Sequence, residues 1–199
     1  MLWDTDNYQR RKGLIVNFIR HAKTSGNIEK RYIGRTDEPL CDVGIRELKS
    51  IVYPGCDVVI SSPMKRCIET AEIIYPSEQI VTYDELRECD FGSFEGKNHI
   101  EMENDHDYQN WLRKGGLGKF PDGEDSTEFR LRSVNGFLKA VSDNKHFNTV
   151  SFVVHGGTIM SILEKYAVPH KEFYDYMTEN AHGFITEYDG ETIRIINRI

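Results

Sequence analysis

Two histidines in this chain close apolar runs, and each is followed by sequence suited to an anion. Arg20-His21 ends the run Leu14-Ile-Val-Asn-Phe-Ile19, and His155-Gly156-Gly157 ends Thr149-Val-Ser-Phe-Val-Val154. A third run, Asp57-Val-Val-Ile60, passes into Ser61-Ser62-Pro63, with Arg66 just beyond. Two imidazoles with two guanidiniums make a poor metal site, because guanidinium is always charged and only donates hydrogen bonds. The same set suits a phosphoryl group. Its oxygens accept bidentate arginine bonds, and a neutral imidazole can attack its phosphorus. The glycines after His155 let backbone N–H groups at a helix start approach the same anion.

These side chains need elements that bring them together. Each apolar run is short and rich in β-branched residues, which predicts buried strands. Met64 to Ile74 places Met64, Cys67, Ile68, Ala71 and Ile74 on one helical face. Asp125 and Glu128 read as a capping box that opens a helix running toward Asn144. A further helix is expected from Thr158 to Tyr166, and a terminal hairpin around Asp189-Gly190. Strands alternating with helices predict a three-layer α/β/α sandwich with a mostly parallel central sheet. Ligands bind such sheets beyond the carboxyl ends of the strands. If the three strands are neighbours, Arg20, His21, Arg66 and His155 converge there.

At 199 residues the chain fits one domain, and no repeat or linker divides it, so 1–199 is expected to form a single unit. The stretch from Arg87 to Gly123 is rich in glycine, acid and aromatic residues. Its part from about 94 to 123 is expected to lie over the pocket as a lid-like excursion, with a helix between Glu101 and Lys114 carrying Tyr108 and Trp111. The net charge of −7 gives no whole-chain attraction for nucleic acid or an anionic membrane, so any anionic substrate must meet a local basic pocket. Cys41, Cys56, Cys67 and Cys89 form no C-x-x-C pair, which suggests reduced thiols. With no apolar leader and no run of some 18 apolar residues, a cytoplasmic protein is the expectation.

At these residues the sequence resembles the histidine phosphatase superfamily, also called phosphoglycerate mutase-like. Arg20-His21-Ala-Lys-Thr24 with Asn27 looks like its N-terminal signature. Gly34-Arg-Thr-Asp-Glu-Pro-Leu40 with Gly44 and Ser62-Pro-Met-Lys-Arg66 with Thr70-Ala71 look like the elements that follow. Leu86-Arg-Glu88, Phe91-Gly92, Phe94-Glu95-Gly96, Phe120-Pro-Asp-Gly-Glu124 and His155-Gly156 complete the order. The resemblance spans residues 14 to about 160. Ala22 departs from it, since the family usually has glycine there, and Gly123-Glu-Asp-Ser126 stands where Gly-Glu-Ser is common.

The resemblance implies a phosphomonoesterase that passes phosphate through a phosphohistidine on His21. It implies that Arg20, Asn27, Arg66, His155 and Gly156 hold the phosphoryl oxygens, and that Glu88 is the general acid and then the base. The short length and the Gly-Arg-Thr-Asp and Phe-Glu-Gly sequences look most like alpha-ribazole and broad-specificity phosphatases. The expected partner is a small phosphomonoester, with no cofactor; a homo-oligomer is compatible with the sequence. The alternatives are a mutase-type phosphotransferase and a non-catalytic phosphate-binding regulatory domain. Other features read as bland. Gly115 to Lys119 lacks P-loop spacing, His99, Glu103 and His106 match no closed metal site, and His146, His170 and His182 read as structural or surface residues. Tyr108 and Trp111 read as lid core rather than substrate platform. Because arginine and imidazole do the work assigned to a metal elsewhere, activity should survive exhaustive EDTA treatment and be inhibited by vanadate. Activity lost to chelator and restored by zinc or magnesium would overturn that reading.

Overall fold

The computed structural model describes residues 13–199. Six strands form one sheet in the order β3-β2-β4-β1-β5-β6. They are β1 (Leu14–Arg20), β2 (Val58–Ser61), β3 (Ile80–Thr82), β4 (Thr149–Val154), β5 (Gly183–Tyr188) and β6 (Ile193–Arg198). β3, β2, β4 and β1 run parallel, while β5 pairs antiparallel with β1 and β6 with β5. The three strands that carry the polar ends are therefore neighbours, with β4 between β1 and β2. That satisfies the condition set by the sequence.

Alternation along these strands builds two cores, one on each face. Val58 and Ile60 of β2 join Val16, Phe18, Val150, Phe152 and Val154 in a cluster with Phe137, Ala140, Ile159, Ile162 and Leu163. The latter come from α5 (Ser126–Asp143) and α6 (Gly156–Tyr166). Val59, Ile19 and Val153 point the other way, onto Cys67 and Ala71 of α3 (Lys65–Ile74). The result is the expected three-layer α/β/α sandwich. Three further helices, α1 (Ser25–Ile28), α2 (Asp42–Leu48) and α4 (His106–Arg113), decorate the loops.

Element boundaries differ from expectation where local chemistry intervenes. α4 starts at His106 rather than Glu101, because Asp105 caps it through bonds from the Asp107 and Tyr108 N–H groups. α6 starts at Gly156, two residues early, with His155 as its N-cap. The capping box expected before α5 is half built. Asp125 Oδ1 accepts from Thr127 N–H at 2.8 Å, and no Glu128 bond returns to the Asp125 backbone. The terminal hairpin forms, with a register shift at Ile185/Thr186. Phe137 is the pivot between α5 and the sheet, fully buried with its ring centre 5.8 Å from Phe18 and 5.5 Å from Phe152. Phe137→Ala should cost about 3–5 kcal/mol of unfolding free energy, read from urea denaturation; a loss below about 1 kcal/mol would mean this layer repacks without α5.

Candidate active site

The carboxyl edge of the sheet brings together His21, His155, Arg20 and Arg66. The two imidazoles are T-shaped with ring centres 5.2 Å apart. Both are buried, at 4% and 0% exposure. His21 Nδ1 lies 2.7 Å from the Ala22 carbonyl oxygen, which can only accept. Nδ1 therefore carries the proton and Nε2 keeps the lone pair. Burial pushes the His21 pKa well below its ordinary value, and the Arg66 and Arg20 charges push it further. His155 shifts in the same direction for the same leading reason, burial, with Arg66 adding to it. Both rings are held neutral. His155 Nε2 is 2.8 Å from Ser62 Oγ, so the end of β2 fixes the ring at the end of β4.

Arg66 is completely buried at the first turn of α3. Its Nη1 donates to the Thr36 carbonyl at 2.9 Å and its Nη2 to the Gly34 carbonyl at 2.9 Å. The loop that supplies those carbonyls is shaped by Glu95. Its carboxylate accepts from the Gly34 and Arg35 N–H groups and from Thr36 Oγ1. This accounts physically for the Gly-Arg-Thr and Phe-Glu-Gly sequences: they build the cage behind Arg66. Arg20 donates from Nη1 to the Thr178 carbonyl at 2.8 Å. That leaves Arg20 Nε and Arg66 Nε buried with no partner among the described residues. Gly156 lies against the first of these, since a Cβ there would stand 3.4 Å from Arg20 Nε.

Asn27 Oδ1 accepts from Thr24 N–H and from Asn180 Nδ2, so its own amide N–H₂ is the free end beside the cavity. Glu88 sits at the base of that cavity. Its Oε1 accepts from Cys89 N–H at 3.0 Å and its Oε2 from Gly157 N–H at 3.4 Å. The close approach needs glycine, because a Cβ on Gly157 would fall 2.6 Å from Glu88 Oε1. Burial raises the Glu88 pKa above the usual carboxylate range, against the pull of Cys89 N–H, Arg66 and Arg20. Ala22 is accommodated where the family usually has glycine: it avoids positive φ, and its N–H donates to Thr70 Oγ1 at 3.0 Å.

Some of this site escaped the sequence reading. Asn180 donates to the His21 carbonyl at 3.0 Å from a segment with no motif of its own. Arg132 donates to the carbonyls of Glu85, Arg87 and Glu88 and pairs with Glu124 at 2.8 Å, clamping the strand of chain that carries Glu88. Glu124 closes the Phe120-Pro-Asp-Gly-Glu124 motif, whose sequence alone gives it no role. Of the two aromatics of α4, Tyr108 is core, at 5% exposure, whereas Trp111 lines the cavity. His99 lines it too, rather than facing only solvent. Among the described residues, no group of three or more His, Cys, Asp or Glu side chains is placed to hold a metal ion, and no helix is long and apolar enough to cross a membrane.

A family model for the histidine phosphatase superfamily (branch 1) matches residues 16–198. The chain belongs to that superfamily. It is 31% identical over 153 residues to "Putative phosphoserine phosphatase 2" of Hydrogenobacter thermophilus, which spans 73% of this chain and 74% of that protein. It is 29% identical over 186 residues to the uncharacterized phosphatase PhoE of Bacillus subtilis, spanning 90% and 91%. The alpha-ribazole phosphatase structure from Shigella flexneri superposes with a TM-score of 0.80 at 21% identity, covering 92% of this chain and 95% of that one, a likeness of fold.

The opposed shifts of His21 and Glu88 generate a pH signature. If His21 is the nucleophile and Glu88 the acid, as the resemblance implies, phosphoryl transfer requires the ring neutral and, for a poor leaving group, Glu88 protonated. Raising the pH through the elevated Glu88 pKa removes the acid; lowering it through the depressed His21 pKa removes the nucleophile. Single-turnover rates on ethyl phosphate should be ~10²–10⁴ lower in Glu88→Gln at acidic pH. The variant-to-wild-type ratio, from which substrate ionisation cancels, should rise with pH. A flat ratio removes Glu88 from the acid role.

Proposed function

We propose that the protein hydrolyses a small phosphomonoester through a phosphohistidine on His21. The observation that carries this reading is the pair of guanidiniums, Arg66 fully buried and Arg20 partly so, each with a buried Nε–H that is unpartnered among the described residues, beside a neutral imidazole whose Nδ1 is bonded and whose Nε2 makes no hydrogen bond among them. A tetrahedral dianion satisfies both donors, and neither arginine makes an ion pair among the described residues that would already do so. In the first step His21 Nε2 bonds to phosphorus while the ester P–O bond breaks, and Glu88 gives its proton to the departing oxygen. Arg20, Arg66, Asn27, His155 and the Gly156 N–H at the start of α6 hold the three remaining oxygens as charge spreads over them. In the second step the Glu88 carboxylate takes a proton from water, whose oxygen attacks phosphorus and expels neutral His21.

Hydrolysis rather than transfer to a second alcohol is supported by the phosphatase names of the Hydrogenobacter thermophilus and Bacillus subtilis relatives, while Escherichia coli relatives 32% identical over 153 residues are named probable phosphoglycerate mutases. A single-domain chain with the 94–123 segment as a lid belongs to the same reading. The four cysteines are unpaired, which supports a cytoplasmic setting. Rapid quench with ³²P-labelled substrate should trap an acid-labile label on His21, absent from His21→Ala, with free phosphate as the product. Label on a serine or aspartate would sink the phosphohistidine, and rapid interconversion of phosphoglycerate isomers without phosphate release would favour the mutase.

A further inference from the structure

The cavity above Glu88 has a volume of about 540 Å³, far more than a phosphoryl group fills. Most of its wall is aromatic or aliphatic, with Asn27, His99, Ser126 and Asn180 as neutral polar side chains among the lining. Tyr32, Trp111 and Phe120 come from the loops and the 94–123 excursion, and Phe129, Met160 and Tyr174 from α5, α6 and the turn Phe173–Tyr176. The platform is packed from behind: Trp111 is stacked at 19° on the buried Tyr108 and lies 5.1 Å from Phe120, ring centre to ring centre. Gly116, at φ +75°, brings the excursion's backbone against both Trp111 and the Tyr174 hydroxyl, so the aromatic surface continues to the mouth. Tyr174 and Met177 line the cavity while remaining 53% and 56% exposed, leaving the mouth apolar as well.

The charges on these walls are largely spoken for. Arg31 is paired with Glu29 and Glu101, and Arg130 is paired with Glu164 and lies 3.8 Å over the Phe173 ring. Lys30, exposed at the rim, is the lining cation outside the phosphate site that makes no ion pair among the described residues. A second anionic group on the substrate would thus meet paired guanidiniums and apolar side chains over most of the wall, with Lys30 at the rim as the cation open to it. A flat apolar body would meet rings already held in place, at little ordering cost.

We infer that the physiological substrate class is the phosphate monoester of an alcohol bearing a flat, uncharged, aromatic-sized body, seated on Trp111 and its neighbours, and not a small phosphorylated acid. The inference rests on the phosphatase reading above, and its test separates the two. Ethyl phosphate and 2-(1-naphthyl)ethyl phosphate have alcohols of similar basicity, so their kcat/KM ratio reads the body rather than the leaving group. The naphthyl ester should be favoured by roughly 10²-fold or more, with 3-phosphoglycerate no better than ethyl phosphate. Trp111→Ala should cut that ratio about tenfold; Tyr174→Ala, at an exposed ring whose loss leaves the fold intact, should reduce it in the same direction. Binding of the matching ethyl- and naphthylethylphosphonates, measured by calorimetry, should show the same preference without turnover. A ratio near one in both assays, or a preference for 3-phosphoglycerate that Lys30→Ala removes, overturns the substrate class while leaving the phosphatase standing. Phosphonate discrimination with no turnover of any ester overturns the phosphatase and keeps the pocket. Neither turnover nor discrimination overturns both.

Discussion

The structure is organised around two guanidinium groups without carboxylate partners among the described residues, Arg66 fully buried and Arg20 partly so. Burying a charge is expensive unless dipoles replace its hydration. For Arg66 the replacement is a ring of carbonyls from the loop at Ile33 to Thr36, and for Arg20 the Thr178 carbonyl. Each of those carbonyls has to be aimed. Glu95 holds the first loop by its N–H groups, and Thr70 bonds both the Arg66 carbonyl and Ala22 N–H, tying α3 to the turn after β1. The segment before β5 is anchored by Ala181, whose N–H donates to the Arg20 carbonyl at 3.0 Å. Ala181 does so at φ +67°, a conformation unfavourable for a residue with a Cβ. Strain of that kind fits a segment held by tertiary contacts rather than by its own preferences.

Seen from that constraint, the sheet is a device for registering three loop starts. Parallel pairing puts the ends of β2, β4 and β1 side by side, in reach of one anion. The register is fixed at the far end, where Asp57 Oδ2 accepts from the Asn148 and Thr149 N–H groups, both at 2.9 Å. A slip of one residue would exchange the two faces of β2 and move Ser62 away from His155. The two-sided core, with Phe137 on one face and Cys67 on the other, guards against that slip.

The elements legible in the sequence were those with a strong pattern. β1, β2 and β4 announced themselves because central parallel strands are apolar on both faces, and α3 and α5 because one face alone is buried. β3, with three residues, and α2, with seven, are too short for periodicity to register, and both take their place from tertiary packing. The residues proposed to carry chemistry stand out in the sequence by their position at strand ends and by motif order. Asn180 and Arg132 do not, because each acts on backbone carbonyls. Such a partner is chosen by where the chain passes, and leaves no spacing signature. Trp111 shows the same limit: its type predicts burial, while its neighbours decide that one surface of the ring faces a cavity.

The same burial acts in opposite directions on the two groups that the proposed reaction needs. A desolvated imidazole resists taking a proton and a desolvated carboxyl resists losing one, so a dry pocket favours neutral His21 and neutral Glu88 together. The arginines reinforce the first shift and oppose the second. An arriving phosphate dianion changes this balance, because it offsets the positive charge that both groups feel. With Arg20 and Arg66 engaged, the pull that ionises Glu88 weakens and the carboxyl holds its proton more firmly, while His21 Nε2 becomes more basic and so a better nucleophile. Occupied as proposed, the site would thus tune its own acid. An apolar body filling the aromatic cavity would deepen that effect by displacing the remaining water from above Glu88, which couples the choice of alcohol to the protonation that its departure requires.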